Sequence, residues 1–248
     1  MEVMKTAPWV LAAILCPGVA PQVRAAEPQN GRSAAVERPY EVTFSVEMAS
    51  TYYWRGFNLT DDNWVVQPGI QARHSASGLG FSVWSSHALG DRRMTGDADE
   101  VDLTMEWIRS LGRHLKVAAG GTLYAYPRWN GENEWSRELF AGLSLPEVFL
   151  APSAIYYHDF DQGDGGYLAV SGSHAFRRFE LSVESGFSFH QYTERSGFND
   201  LVAELSCGFD VGARGSLAPF LRLGVIRDRE RNPDDAMIWF GFNLSWEQ

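Results

Sequence analysis

The chain has 248 residues, a formal charge of −10, a pI near 5.1, 45% hydrophobic residues and a mean hydropathy of −0.23. That balance excludes a nucleic-acid binder, which needs a basic stripe, and no run reaches the roughly 18 uninterrupted apolar residues of a transmembrane helix. It leaves a membrane barrel open, because only alternate residues of a barrel strand face lipid.

At the N-terminus Lys5 precedes an apolar run from Trp9 to Leu15, Pro17 and Gly18 break it, and Val23-Arg24-Ala25 has the spacing of a cleavage site. Residues 1–25 therefore read as a secretory signal peptide. A lipoprotein anchor on Cys16 is the competing reading, and bulky Leu15 argues against it. Removal of the peptide leaves Cys207 alone, so no internal disulfide is available, and Cys207 reads as a small apolar residue on an outward strand face. Residues 26–40, with Pro, Gln, Ser and Arg and no periodicity, read as a short periplasmic leader.

From residue 41 to 248 the pattern is of strands. Val42, Phe44, Val46 and Met48 alternate with Glu41, Thr43, Ser45 and Glu47, in a run continuing to Tyr52, Tyr53 and Trp54. A period of two marks a β-strand. Val66 to His74 sets Ile70 and Ala72 against Gln67, Gln71 and Arg73, and Leu79, Phe81 and Val83 follow the Ser75-Ala76-Ser77-Gly78 turn. Val101, Leu103, Met105 and Trp107 oppose Glu100, Asp102, Thr104 and Glu106; Leu115, Val117, Ala119 and Leu123 oppose Lys116, Gly120, Thr122 and Tyr124. Trp135 to Leu143, Phe149 to Tyr157, Tyr167 to Ser173, Phe179 to Phe189, Leu201 to Phe209 and Leu217 to Ile226 come next.

The last run, Ala236 to Trp246, puts Ile238, Phe240, Phe242, Leu244 and Trp246 on one face and Met237, Trp239, Gly241, Asn243 and Ser245 on the other. A soluble sandwich could bury such a face, but its terminal strand usually carries a protecting charge or proline, and none is present. The predicted fold is therefore all-β: a closed antiparallel up-and-down transmembrane barrel of about twelve strands. Gly241, Leu244 and Trp246 also resemble the C-terminal assembly signal of bacterial outer-membrane barrels, which implies the barrel assembly machinery as a partner.

The connections carry independent information. After the odd runs they are long and polar (residues 55–63, 88–98, 127–134, 159–165, 190–199 and 227–235), and after the even runs short. Long outer loops alternating with short periplasmic turns place the barrel in the bacterial outer membrane with both termini periplasmic. Tyr52, Tyr53, Trp54, Trp64, Tyr124, Tyr126, Trp129, Trp135, Tyr156, Tyr157 and Phe189 lie toward the long loops, and Tyr40, Trp107, Phe149, Phe179, Phe209 and Trp246 toward the short turns, as two interfacial belts would. Pro68, Pro152 and Pro219 predict bulges or strand ends, since each removes a ladder donor.

Tyr52-x-x-Arg55-Gly56, Thr60-Asp61-Asp62 and Val66-Gln67-x-Gly69-Ile70 resemble the start of the TorF family of porin-like Gram-negative outer-membrane proteins. Gly78 to Ser86 resembles that family's next hairpin, and Glu100-x-Asp102-Leu103 its next acidic strand. Trp64, Pro68, Ser85 and His87 depart from the family pattern. The resemblance implies a porin-like role and names no substrate. Its motif residues here are Tyr52, Arg55, Gly56, Thr60, Asp61, Gln67 and Gly69.

The predicted inward face carries Glu41, Glu47, Gln67, Gln71, Arg73, Glu100, Asp102, Glu106, Lys116, Glu138, Glu180, Glu184, Glu204 and Arg222. An open lumen of this composition favours cations by Coulomb attraction, and the function expected is passive passage of small solutes or ions. The first alternative is a plugged, scaffolding barrel whose charges pair across strands. The second is a lipid hydrolase using Ser86 with His87, Ser173 with His174, or His158 or His190; neighbouring strand residues point to opposite faces, so the Ser-His pairs do not meet. No enzyme, metal or cofactor is expected: the stretch Asp159 to Gly165 lacks the acids of an EF-hand at its fifth and twelfth positions. Arg227 to Arg231 reads as a mixed-charge loop beside lipopolysaccharide phosphates, and the remaining partner is outer-membrane lipid.

Overall fold

The structure, a computed structural model, describes residues 39–89, 100–127, 135–228 and 231–248. The predicted signal peptide, nearly all of the leader, Trp129 and most of the second and third long loops lie outside those residues.

The described chain is strand and turn throughout. In order the strands are β1 (Tyr40–Ala49), β2 (Tyr53–Trp54), β3 (Phe57–Asn58), β4 (Val65–His74), β5 (Leu79–Ala88), β6 (Glu100–Leu111), β7 (Leu115–Ala125) and β8 (Trp135–Ser144). There follow β9 (Ser153–Asp159), β10 (Gly165–Phe176), β11 (Phe179–Phe189), β12 (Ser196–Cys207), β13 (Phe209–Val211), β14 (Gly215–Ile226) and β15 (Ala236–Glu247). β2 and β3 form a small hairpin of their own inside the first long connection. β12 and β13 are one strand interrupted at Gly208, since both pair with β14 in a single register. The remaining sheet is a closed ring of twelve antiparallel strands.

Closure is made by the first and last strands. Phe44 lies opposite Trp246, Val46 opposite Leu244 and Met48 opposite Phe242, so β15 has a partner on each side and no edge is left open. Its apolar side chains face outward, Ile238 being 70% exposed, while Met237 and Trp239 are buried within. The same outward set recurs around the ring in Leu79 and Phe81, Met105 and Trp107, Leu139 and Leu143, Leu181 and Val183, and Leu221 and Leu223. A surface so apolar suits hydrocarbon, not water.

Several elements differ from expectation. β1 ends at Ala49, and Tyr52 to Trp54 leave the wall and enter the lumen. β9 starts at Ser153, because residues 145–152 fold into a turn in which Leu150 and Ala151 take left-handed backbone angles. The Leu150 carbonyl in that turn accepts the Ser173 amide from β10, and Phe149, 75% exposed, caps the outside of the barrel against His174. β12 begins at Ser196, inside the loop predicted to reach Asn199.

Of the three prolines, Pro152 falls at a strand end as predicted, whereas Pro68 and Pro219 sit inside β4 and β14 with no register shift. Pro68 keeps its pairing with Val46, and the ladder to β5 lapses at Gln67 and Pro68. Pro219 keeps its pairing with Phe242, and the ladder on its other side lapses at the Gly208 break. Each backbone N–H serves one neighbour only, so a missing one costs one ladder and leaves the other intact.

Candidate functional site

The first long connection, predicted as an exposed loop, runs inward across the barrel. Its base is pinned at both ends: the Ser50 amide donates to the Phe240 carbonyl and the Leu89 amide to the Trp64 carbonyl. Within it Thr60 organises the turn. Its hydroxyl accepts the Tyr52 amide at 2.8 Å, lies 3.1 Å from the Thr51 hydroxyl, and donates to the Asn63 carbonyl at 2.9 Å. Arg55 (φ 45°) and Gly56 (φ 91°) make the tip of the β2–β3 hairpin. A Cβ at Gly56 would come within 3.0 Å of the Asn199 amide nitrogen, so both backbone angle and space call for glycine.

From this hairpin, side chains reach most of the way round the wall. Tyr52 Oη donates to Glu100 at the head of β6 (3.0 Å) and Tyr53 Oη to Asp200 on β12 (2.7 Å), while Tyr53 stacks on Trp239 of β15 with centroids 4.6 Å apart. Arg55 crosses to β8, where its Nη1 and Nη2 meet Glu138 Oε2 and Oε1 at 2.5 and 3.0 Å. The guanidinium carbon stands 4.2 Å from the Tyr157 ring centroid, 4.8 Å from that of Tyr167 and 4.7 Å from that of Trp54. Glu138 also accepts Tyr124 Oη at 2.8 Å and Gln191 Nε2 at 3.2 Å. The Arg55 carbonyl accepts from Asn199 Nδ2 and Arg231 Nη1, both at 2.9 Å, and Arg231 also bonds Ser188 and lies over Phe57. Three loops thus close on one arginine.

Tyr52, Trp54 and Tyr124 are buried inside the barrel, with Tyr53 and Tyr157 packed beside them, so these five are not part of an interfacial belt. Trp64, Trp135, Tyr156 and Phe189 are exposed on the outside at that end, as are Tyr40, Trp107, Phe149, Phe179, Phe209 and Trp246 at the other. Aromatics in a sequence do not distinguish these two environments.

The other motif residues have local reasons. Asp61, with φ 49°, is exposed at the turn. Gln67 is buried and donates to Ser86 Oγ at 3.3 Å; a Cβ at Gly69 would press within 3.1 Å of Ser45 Oγ and 3.5 Å of Trp84.

The inward charges divide by depth. Toward the long loops Gln67, Glu100, Asp102, Glu138, Asp159 and Asp200 are all shut off from solvent. From mid-barrel toward the short turns Gln71, Arg73, Lys116, Glu180, Glu204 and Arg222 are half-buried and Glu184 is exposed, while Glu106 and Glu47, the partners of Arg73 and Arg222, are buried. Arg222 joins Glu204 (Nε to Oε2, 2.6 Å) to Glu47 (2.8 and 3.2 Å) across β14, and Gln71 and Arg73 both donate to Glu106 Oε1 at 2.9 and 2.6 Å. Lys116 has no partner among the described residues. Asp102 stands opposite Trp84 and Tyr124 in the ladders.

The serine-histidine pairs do not assemble. Ser86 is buried inward and His87 turns outward, where it meets Ser85 Oγ at 3.0 Å; Ser173 is buried and His174 packs at a tilt against Phe149 outside. Asp159 organises its own loop by accepting Ser136 Oγ, the amides of Asp161 and Gly163, and Tyr192 Oη. Among the described residues no three His, Cys, Asp or Glu side chains gather as a metal site.

The molecule is thus an all-β closed barrel whose lumen is crossed by its own first loop. The chain belongs to the Gcw_chp family, described as a bacterial protein of unknown function, whose model matches residues 33–214. Similar folds occur in the KdgM porin (TM-score 0.55, 10% identity, 83% of this chain and 98% of that one) and the NanC porin (0.51, 10%, 82% and 97%). The COG4313 outer membrane channel from Pseudomonas putida F1 is a third (0.50, 14%, 90% and 100%). At these identities the likeness shows the barrel fold. No curated protein sequence matches the chain.

Proposed function

We propose that this protein is an outer-membrane channel giving passive, non-enzymatic passage to small solutes and ions with a cation preference, shut at its long-loop mouth by its own first loop. The observation that carries the reading is the division of the lumen: the inward charged side chains that meet solvent, Arg73, Lys116, Glu180, Glu184, Glu204 and Arg222, lie from the short turns to mid-barrel, whereas those at the level of Arg55 and beyond it are all sealed off. The porin-like fold supports it, as does the resemblance of residues 52–70 to the TorF family. The excess of inward carboxylates supports the cation preference. The short turns and both described chain ends lie together, and in this reading face the periplasm; β15 is the strand offered to the assembly machinery, and Arg227 stands among the lipopolysaccharide phosphates.

The test is ion conductance in planar bilayers, comparing the wild-type chain with a variant in which residues 52–60 are replaced by a Gly-Ser linker. The linker variant conducts and prefers cations, while the wild type opens seldom. A linker variant that is folded but silent supports a second reading, a scaffolding barrel, which the many bonds to Arg55 favour.

A further inference from the structure

We propose that the seat of Arg55 is a binding site for planar guanidinium cations, filled in the closed state by the chain's own arginine; this rests on the channel reading above. The parts that grip the guanidinium belong to the wall. Glu138 on β8 offers both carboxylate oxygens in the fork that a guanidinium matches and an ammonium does not. Tyr157 on β9 and Tyr167 on β10 set their rings 4.2 and 4.8 Å from the cation, within the range of cation–π attraction.

Each of these is itself backed by other residues, Tyr157 by the tilted Phe140 ring with centroids 6.0 Å apart. Tyr124 and Gln191 fix Glu138, and Tyr167 Oη donates to Asp200 Oδ1 at 2.7 Å. Only the Trp54 ring comes from the loop. The acid and two aromatic faces therefore stay in place when the loop leaves, and they present to a passing solute the same chemistry that Arg55 satisfies. Arg222 makes the contrast. It too has a carboxylate fork and an aromatic face, with Phe220 3.9 Å from its guanidinium carbon, but it grows from the wall strand β14 and cannot vacate its place. Arg55 is tethered through a hairpin, as a mimic of a ligand would be.

The geometry also supplies the experiment. In Arg55→Ala the backbone carbonyl keeps its bonds from Asn199 and Arg231, so the loop stays anchored over an empty seat. Calorimetry on the full chain refolded in detergent, with folding checked by heat-modifiable migration, is run with methylguanidinium and with methylammonium. The Arg55→Ala protein binds methylguanidinium in the millimolar range, methylammonium binds it roughly tenfold more weakly for want of the second hydrogen bond, the wild type binds neither, and adding Glu138→Gln removes the binding. Folded Arg55→Ala that binds neither cation, or both alike, overturns the proposal. If Arg55→Ala does not fold, the 52–60 linker variant exposes the same seat and is read by the same criteria. Calorimetry does not depend on conductance: lost binding with an active channel refutes the seat alone, and binding with a silent bilayer refutes the channel alone.

Discussion

Arg55 and Glu138, 83 residues apart in sequence, are joined by two hydrogen bonds across the barrel with almost no solvent contact at either side chain. Breaking one partner of a buried pair strands the other charge, at a cost of about 3 to 5 kcal/mol. Glu138→Gln and Arg55→Ala should each lower the temperature at which the folded form disappears on a denaturing gel, and the double variant should lose much less than the sum. Additive losses would mean the two residues act separately.

Membrane residence turns on the outer face. Phe242, outward on β15 between Met48 and Pro219, should tolerate arginine badly, by about 2 to 4 kcal/mol if it lies near the bilayer midplane. Arginine at the adjacent inward position, Asn243, should be milder. Refolding yield into lipid vesicles compares the two, and equal yields would argue against hydrocarbon at that face.

Gly120 on β7 lies under the Phe140 ring, and a Cβ there would collide with that ring and with the Met105 carbonyl. Phe140, Ala118 and Ile155 form a small apolar cluster inside the barrel. Gly120→Ala should therefore destabilise by about 1 to 3 kcal/mol through overpacking. At Gly112 an added Cβ would meet nothing, so only the φ of 73° limits a substitution, and Gly112→Asn, since asparagine tolerates that conformation, should be nearly neutral. Denaturant midpoints measure both.

The fourth long loop is pinned at its start by charge. Hydrogen bonds from the Arg137 side chain, with its charge and its backbone N–H, hold the Asp161 carboxyl below the usual carboxylate range. Because the folded value is lowered, this support is complete above the unfolded value of about 3.9 and is lost as pH falls through the folded one. Exchange protection of the Arg137 amide should be flat from neutral pH to about 4 and fall only below it. A fall centred near pH 6 would implicate a different group.

The wall was legible in the sequence because alternation is a local signal: β15, β6 and β7 appear in the order of their apolar residues, and closure follows from a terminal strand with no guarded edge. The seated loop was not. Tyr52, Tyr53, Trp54 and Arg55 continue the composition of the strand before them, and an aromatic near a strand end reads alike whether it meets lipid or a neighbouring loop. One signal was available. A first loop richer in aromatics than the others, near a lumen rich in carboxylates, has both an apolar reason to leave water and a counter-charge for its arginine. The start of β9 was missed for a related reason: Phe149 and Leu150 are as apolar as strand residues, but left-handed angles at Leu150 and Ala151 fold them into a turn.

Whether the first loop seals the lumen is tested most directly at Glu184, which faces the solvent-reached part of the barrel. Glu184→Cys, in a Cys207→Ser background, is exposed from outside intact cells to a maleimide carried on polyethylene glycol too large to enter by other routes. With the native loop the cysteine should stay unlabelled, and with residues 52–60 replaced by the Gly-Ser linker it should react. Labelling at the same rate with the native loop in place would contradict the account.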